Sequence, residues 1–175
     1  MQKPAITWLD SNLDVLSSVS FTYTDPETHE KKTTLKKGQT SDPTVVKIAN
    51  NFTKSLAAGE AVYDAVDCTL SVKPAVEGVE SVLVKEKWLS VSVAATAGDT
   101  AYTAIGGETD ALVSVDVYAK DLESNKGISG AVNDGTANTA NIATLNIKAE
   151  IPAETTAEGG RKDFVLVLAY SYGDQ

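Results

Sequence analysis

A single histidine, His29, and a single cysteine, Cys68, are the natural starting points for a general base or a nucleophile. His29 falls in the turn DPETHEKK, where no packed scaffold would aim an imidazole or exclude water from it, so it reads as an exposed loop residue. Cys68 is in phase with Val66, Leu70 and Val72, which places its sulfur on the buried face of a strand. There it acts as a small core residue, since a reactive thiol needs an exposed, electropositive setting. The 24 acidic side chains always permit some carboxylate pair to be drawn, yet nothing singles one out. No catalytic residue is assigned, and the chain is expected not to be an enzyme.

Ligand motifs fare similarly. Asp121, Glu123 and Asn125 follow the D-x-E-x-N spacing of a calcium loop, but the glycine comes one place late, at Gly127. The twelfth position is Val132, where a bidentate Glu is needed. A calcium in another loop geometry stays open, because Asp and Asn are plentiful in the loops; zinc lacks a Cys or His cluster. Gly159-Gly160-Arg161-Lys162 opens a strand rather than a helix and offers no phosphate cradle, so no cofactor is expected. Asn51-Phe52-Thr53 fits a glycosylation sequon without a secretion signal to support it. Glycan binding would need an exposed aromatic platform, for which Trp8 and Trp88 are the candidates. Trp88 shares parity with Ser90 and Ser92, the polar side of its strand, and so could stand on the surface; the alternative is packing against a loop.

Charge bounds the partners. With 24 acidic against 15 basic residues, the net charge of −9 repels a phosphate backbone, and nucleic acid is not expected as a partner. Lys31, Lys32, Lys36 and Lys37 are interleaved with Glu27, Glu30 and several threonines, and read as a solvated hairpin, with an anion or surface contact as the alternative. No apolar run reaches the roughly 18 to 20 residues of a membrane span, and the opening MQKPAITWLDSN lacks a signal-peptide core. The lone cysteine excludes an internal disulfide.

The elements that must position these residues are strands. At least seven segments alternate apolar and polar residues with period two: residues 15–23, 44–50, 66–72, 89–95, 113–118, 143–151 and 164–172. Turn chemistry separates them at Asp25-Pro26, Gly106-Gly107, Asn133-Asp134-Gly135 and Gly159-Gly160. Only residues 51–64 could hold a turn or two of helix, weakened by Gly59. One all-β domain spanning 1–175 is expected, an antiparallel immunoglobulin-like β-sandwich with elaborated loops. Residues 164–172, FVLVLAYSY, break the pattern because both faces are apolar. With Phe164, Leu166 and Leu168 in the core, Val165, Val167 and Ala169 point outward. They and Trp88 are the candidate contacts with a partner, unless the 120–141 loop folds back over that face.

The stretch from Val46-Lys47-Ile48-Ala49-Asn50-Asn51 to Ala65-Val66-Asp67-Cys68-Thr69-Leu70-Ser71-Val72 resembles bacterial Ig-like modules of the CARDB and NEW3 type. In these a strand ends in an Asn-rich turn and the next enters through an Ala-x-x-Val step. The later part is similar to structural proteins of phages and prophages. It shares with them a W-x-S-V strand at Trp88, an I-G-G turn at Ile105, an Asn-Asp-Gly loop at Asn133, and a Pro-Ala step at Pro152 before a final aromatic strand. The resemblance implies a virion component, made in the host cytoplasm: a head or tail decoration, baseplate or fibre-associated subunit. Its partners would be other virion proteins or copies of itself in an oligomer or lattice. The alternative is an adhesive or carbohydrate-binding Ig-like module.

Overall fold

The computed structural model describes residues 1–53, 59–93, 101–132 and 140–173. In chain order the strands are β1 (Ile6–Leu9), β2 (Tyr23–Thr24), β3 (Lys31–Lys32), β4 (Thr44–Asn50), β5 (Val66–Pro74), β6 (Leu89–Val93), β7 (Thr103–Ile105), β8 (Val115–Asp116), β9 (Ile142–Ala149) and β10 (Phe164–Ser171). They form a five-stranded sheet ordered β1-β4-β9-β6-β7, a three-stranded sheet β10-β5-β8 and the hairpin β2-β3. Every pairing between these strands is antiparallel. The helical segments described are single turns: α1 (Val82–Lys85) and two 3-10 turns, Thr109–Ala111 and Glu123–Asn125. The fold is all-β, and no described helix is long and apolar enough to cross a membrane.

Alternation explains how the two larger sheets meet. Val46 and Ile48 of β4, Leu89 and Val91 of β6, and Leu145 and Ile147 of β9 pack in one cluster with Cys68, Leu70 and Val72 of β5. Each side chain so buried contributes about 1.5–3 kcal/mol. Cys68 is fully buried, and that burial, with the neighbouring Asp67 carboxylate, pushes its thiol up to about 12. Because the thiolate is the reactive form, Cys68 is expected to label slowly with a thiol reagent at pH 8 and rapidly after unfolding. Fast labelling of the native protein would mean that this face is inverted.

Three sequence expectations are corrected. Residues 15–23 alternate like a strand, yet only Val15, bridged to Leu9, and Tyr23 enter any ladder. Between them Leu16, Val19 and Phe21 pack against the core from a segment that joins no ladder. Residues 51–53 and 59–64 are not helical, and 54–58 lie outside the described residues. The strand at Leu89 has no wet face: Ser90 and Ser92 are as buried as Leu89 and Val91. Ser90 lies opposite Lys148 in β9 and donates its hydroxyl to Glu150 at 3.2 Å. Lys148 pairs with Glu150 at 2.8 Å and sits 4.2 Å from the Tyr102 ring, so long side chains lean over the small serines. The expected turn at Asn133-Asp134-Gly135 and the strand end at Ala95 fall outside the described residues.

Candidate functional site

The strand with two apolar faces is an edge. β10 pairs with β5 alone, and among the described residues no strand lies along its other side. Phe164, Leu166, Leu168 and Tyr170 pack against the core. Val165 is 39% exposed, Ala169 is exposed and Val167 half-buried, opposite Lys73, Thr69 and Ser71 of β5 respectively. The outer face is thus a narrow apolar strip beside polar neighbours. The described part of the 120–141 loop runs along the other edge of β5, where Ile128 bridges Ala65 and the Lys126 carbonyl accepts from the Cys68 N–H at 3.0 Å. β10 lacks two of the usual guards of an edge strand, since its eight residues, FVLVLAYS, include no charge and no proline; its ladder with β5 does shift register between Ala169 and Ser171.

Trp88 is not on this surface. It is 5% exposed and belongs to the core cluster, so neither a glycan platform nor a partner contact can be built on it. Parity with the serines failed as a guide because the side they occupy is itself covered. The turn of α1 brings Glu86 beside the indole, and Glu86 Oε2 accepts from Trp88 Nε1 at 2.9 Å and from the Thr155 hydroxyl. The Thr155 hydrogen bond, then that of Trp88, holds the Glu86 carboxyl below its ordinary value. A depressed carboxyl stabilises the fold above its unfolded value of 4.5 and loses that contribution as pH falls through the lower folded value. The melting-temperature gap between the wild type and Glu86→Gln is therefore expected to be full at pH 6 and to shrink towards pH 3. A constant gap would show that Glu86 acts by packing alone.

Beside β10 lies a groove of about 1300 Å³, lined by Trp8, Leu16, Phe21, Trp88, Phe164 and Leu166 among others. Phe21 and Phe164 stack across it, ring centroids 6.1 Å apart. The chain matches no protein family, no curated protein and no solved structure. Function must be read from this surface itself.

The remaining candidates are dispersed. His29 is exposed in its turn at φ 58°, its N–H donating to the Asp25 carbonyl at 2.8 Å. The Asp121 run folds into an exposed 3-10 turn, and among the described residues no group of three His, Cys, Asp or Glu is placed to hold a metal ion. The lysines divide: Lys31 and Lys32 form β3, with Lys32 on Asp25 at 2.7 Å, whereas Lys36 and Lys37 line the groove. Sequence parity missed an aromatic cluster near the surface, Tyr63, Tyr170 and Tyr172, with centroids 6.1 and 6.2 Å apart and Tyr172 half exposed.

Proposed function

We propose that this chain is a non-enzymatic structural subunit, joined through the outer face of β10 to other proteins of a particle or to copies of itself. The motif resemblance points to a bacteriophage virion, as a head or tail decoration, baseplate or fibre-associated protein. The observation that carries the reading is the strip of Val165, Val167 and Ala169 on an uncharged edge strand. A finer fold reading, the immunoglobulin-like sandwich, is supported by strand order. In that fold strands A, B, E and D form one sheet and C, F and G the other. Here β1, β4, β9 and β6 stand side by side in the places of A, B, E and D, with β5 and β10 in those of C and F.

The double substitution Val165→Thr and Val167→Thr keeps β-propensity and near-equal volume while making the strip polar. The monomer is expected to keep its melting temperature within about 2 °C, a surface-sized effect, and to lose co-sedimentation with its particle or self-associated form. Strong destabilisation of the isolated monomer would make this face internal core and end the proposal. The tyrosine cluster favours a second reading, a glycan-binding module; glycan-array binding that disappears on Tyr172→Ala would select it.

A further inference from the structure

Gly159-Gly160-Arg161-Lys162, the motif that cradles no phosphate, lies in the connection from β9 to β10, and Arg161 is the only arginine of the chain. The first part of that connection is fastened down. Ile151 N–H donates to the Gln39 carbonyl at 3.0 Å, Thr155 N–H to the Pro152 carbonyl at 3.3 Å, and Ala157 N–H to the Thr155 hydroxyl at 3.1 Å, while Lys37 Nζ holds the Thr155 carbonyl at 2.8 Å. Beyond it the fastening stops. Among the described residues no backbone hydrogen bond joins residues 158–163 to anything, and they lie outside every helix, strand and hydrogen-bonded turn. By contrast, the lysines of β3, β4, β5 and β9 sit in ladders, and Lys36, Lys85, Lys87 and Lys126 each have a backbone N–H or carbonyl in a hydrogen bond.

An endoprotease must take several residues of its substrate in extended form, so cutting falls on exposed chain with small residues and few hydrogen bonds to break. Residues 158–163 meet each condition. Nothing lies within 4 Å of the Cβ position of Gly159 or Gly160, and Gly160 can leave its φ of 119° for an extended conformation without a side chain to resist. The Arg161 side chain is 87% exposed, and its one ion pair, with Asp163 at 2.6 Å, is the solvated kind that yields easily. We propose that the Arg161–Lys162 peptide bond is a site of limited proteolysis for an endoprotease whose specificity pocket carries a carboxylate, as trypsin's does. Hydrolysis breaks the Arg161 C–N bond, water supplying a hydroxyl to the new Arg161 carboxyl group and a proton to the new Lys162 amine. The nick leaves β10 in place. Seven of its eight residues are registered with β5, and Phe164, Leu166, Leu168 and Tyr170 stay against the core. β10 thereby becomes a strand of the fold with no covalent link to β9, whatever its outer face joins.

The test is a time course of the full chain with dilute trypsin, read by intact mass. The first products should be 1–161 and 162–175, one bond chosen from a chain with 15 basic residues. Arg161→Gln with Lys162→Gln should delay the first cut at least about tenfold, because the remaining lysines wait on local opening of bonded backbone. A glutamate-specific protease should still cut that variant first at Glu158, since the substitutions leave the backbone as open as before. An arginine-specific protease can nick the wild type only at Arg161, and the two fragments should then co-elute on gel filtration and part only in denaturant. A first tryptic cut at any other lysine, or a first glutamate-specific cut away from Glu158, overturns the site. Release of 162–175 from the nicked chain under native conditions overturns the retention of β10.

Discussion

Asn50→Ala is expected to cost about 2–4 kcal/mol, because it strips three hydrogen bonds from a fully buried side chain. Asn50 Oδ1 accepts from the Ala5 N–H at 2.9 Å, and Nδ2 donates to the carbonyls of Tyr63 at 3.0 Å and Ile128 at 3.2 Å. One side chain thus satisfies the entry to β1, the entry to β5 and the loop leaving β8. Asn141 answers from β9's approach: its Nδ2 donates to the carbonyls of Asn50, Ser129 and Ala131. Truncation removes the acceptor of the Ala5 N–H and one donor from each of the Tyr63 and Ile128 carbonyls, the latter still held by the Ala65 N–H at 3.0 Å, and each hydrogen bond lost contributes about 0.5–1.5 kcal/mol. For a chain of this size that lowers the melting temperature by roughly 10 °C. Asn50→Asp should be no milder, since it keeps the acceptor but aims a carboxylate at two carbonyls. A loss below about 1 kcal/mol in urea denaturation would mean that water takes over these bonds.

Gly106→Ala is expected to lose about 3–5 kcal/mol by a different mechanism. Gly106 sits at the end of β7 with φ 109°, where an added Cβ would lie 2.4 Å from the Val84 carbonyl oxygen and 3.2 Å from Val72 Cγ1. That carbonyl cannot step aside, since it accepts from the Gly107 N–H at 2.8 Å and the Lys87 N–H at 3.1 Å, clamping α1 to the strand end. Gly78→Ala separates strain from collision. Gly78 also has positive φ, at 75°, but nothing lies within 4 Å of its Cβ position, so only the backbone strain of about 1 kcal/mol remains. Equal losses at the two positions would rule out the collision with Val84.

Both sites were half legible. The Asn-rich end of the 44–50 strand and the Gly106-Gly107 turn stand out in the sequence, one as polar residues closing an apolar run, the other as a demand for unusual φ. Their partners, Tyr63, Ile128 and Val84, do not, because contacts between residues far apart in the chain leave no local pattern.

The sequence by itself determined the all-β class and the inward faces of β4, β5 and β9. Residues such as Ile48, Leu70 and Leu145 must leave water, and period-two alternation sends them to one side wherever a strand forms. It also determined that β10 would present apolar side chains on both faces. Only the tertiary structure decided what lies on the second face of each strand and beside each edge. Ser90 is buried beneath Glu150 and Lys148, and Trp88 beneath the α1 turn with Glu86 and Thr155. Residues 16–22 alternate as strands do yet join no ladder, since a ladder needs a neighbour as well as a pattern. The open edge of β10 and the groove beside it exist for the same reason: alternation sets which way a side chain points, and the packing of distant segments sets what it meets.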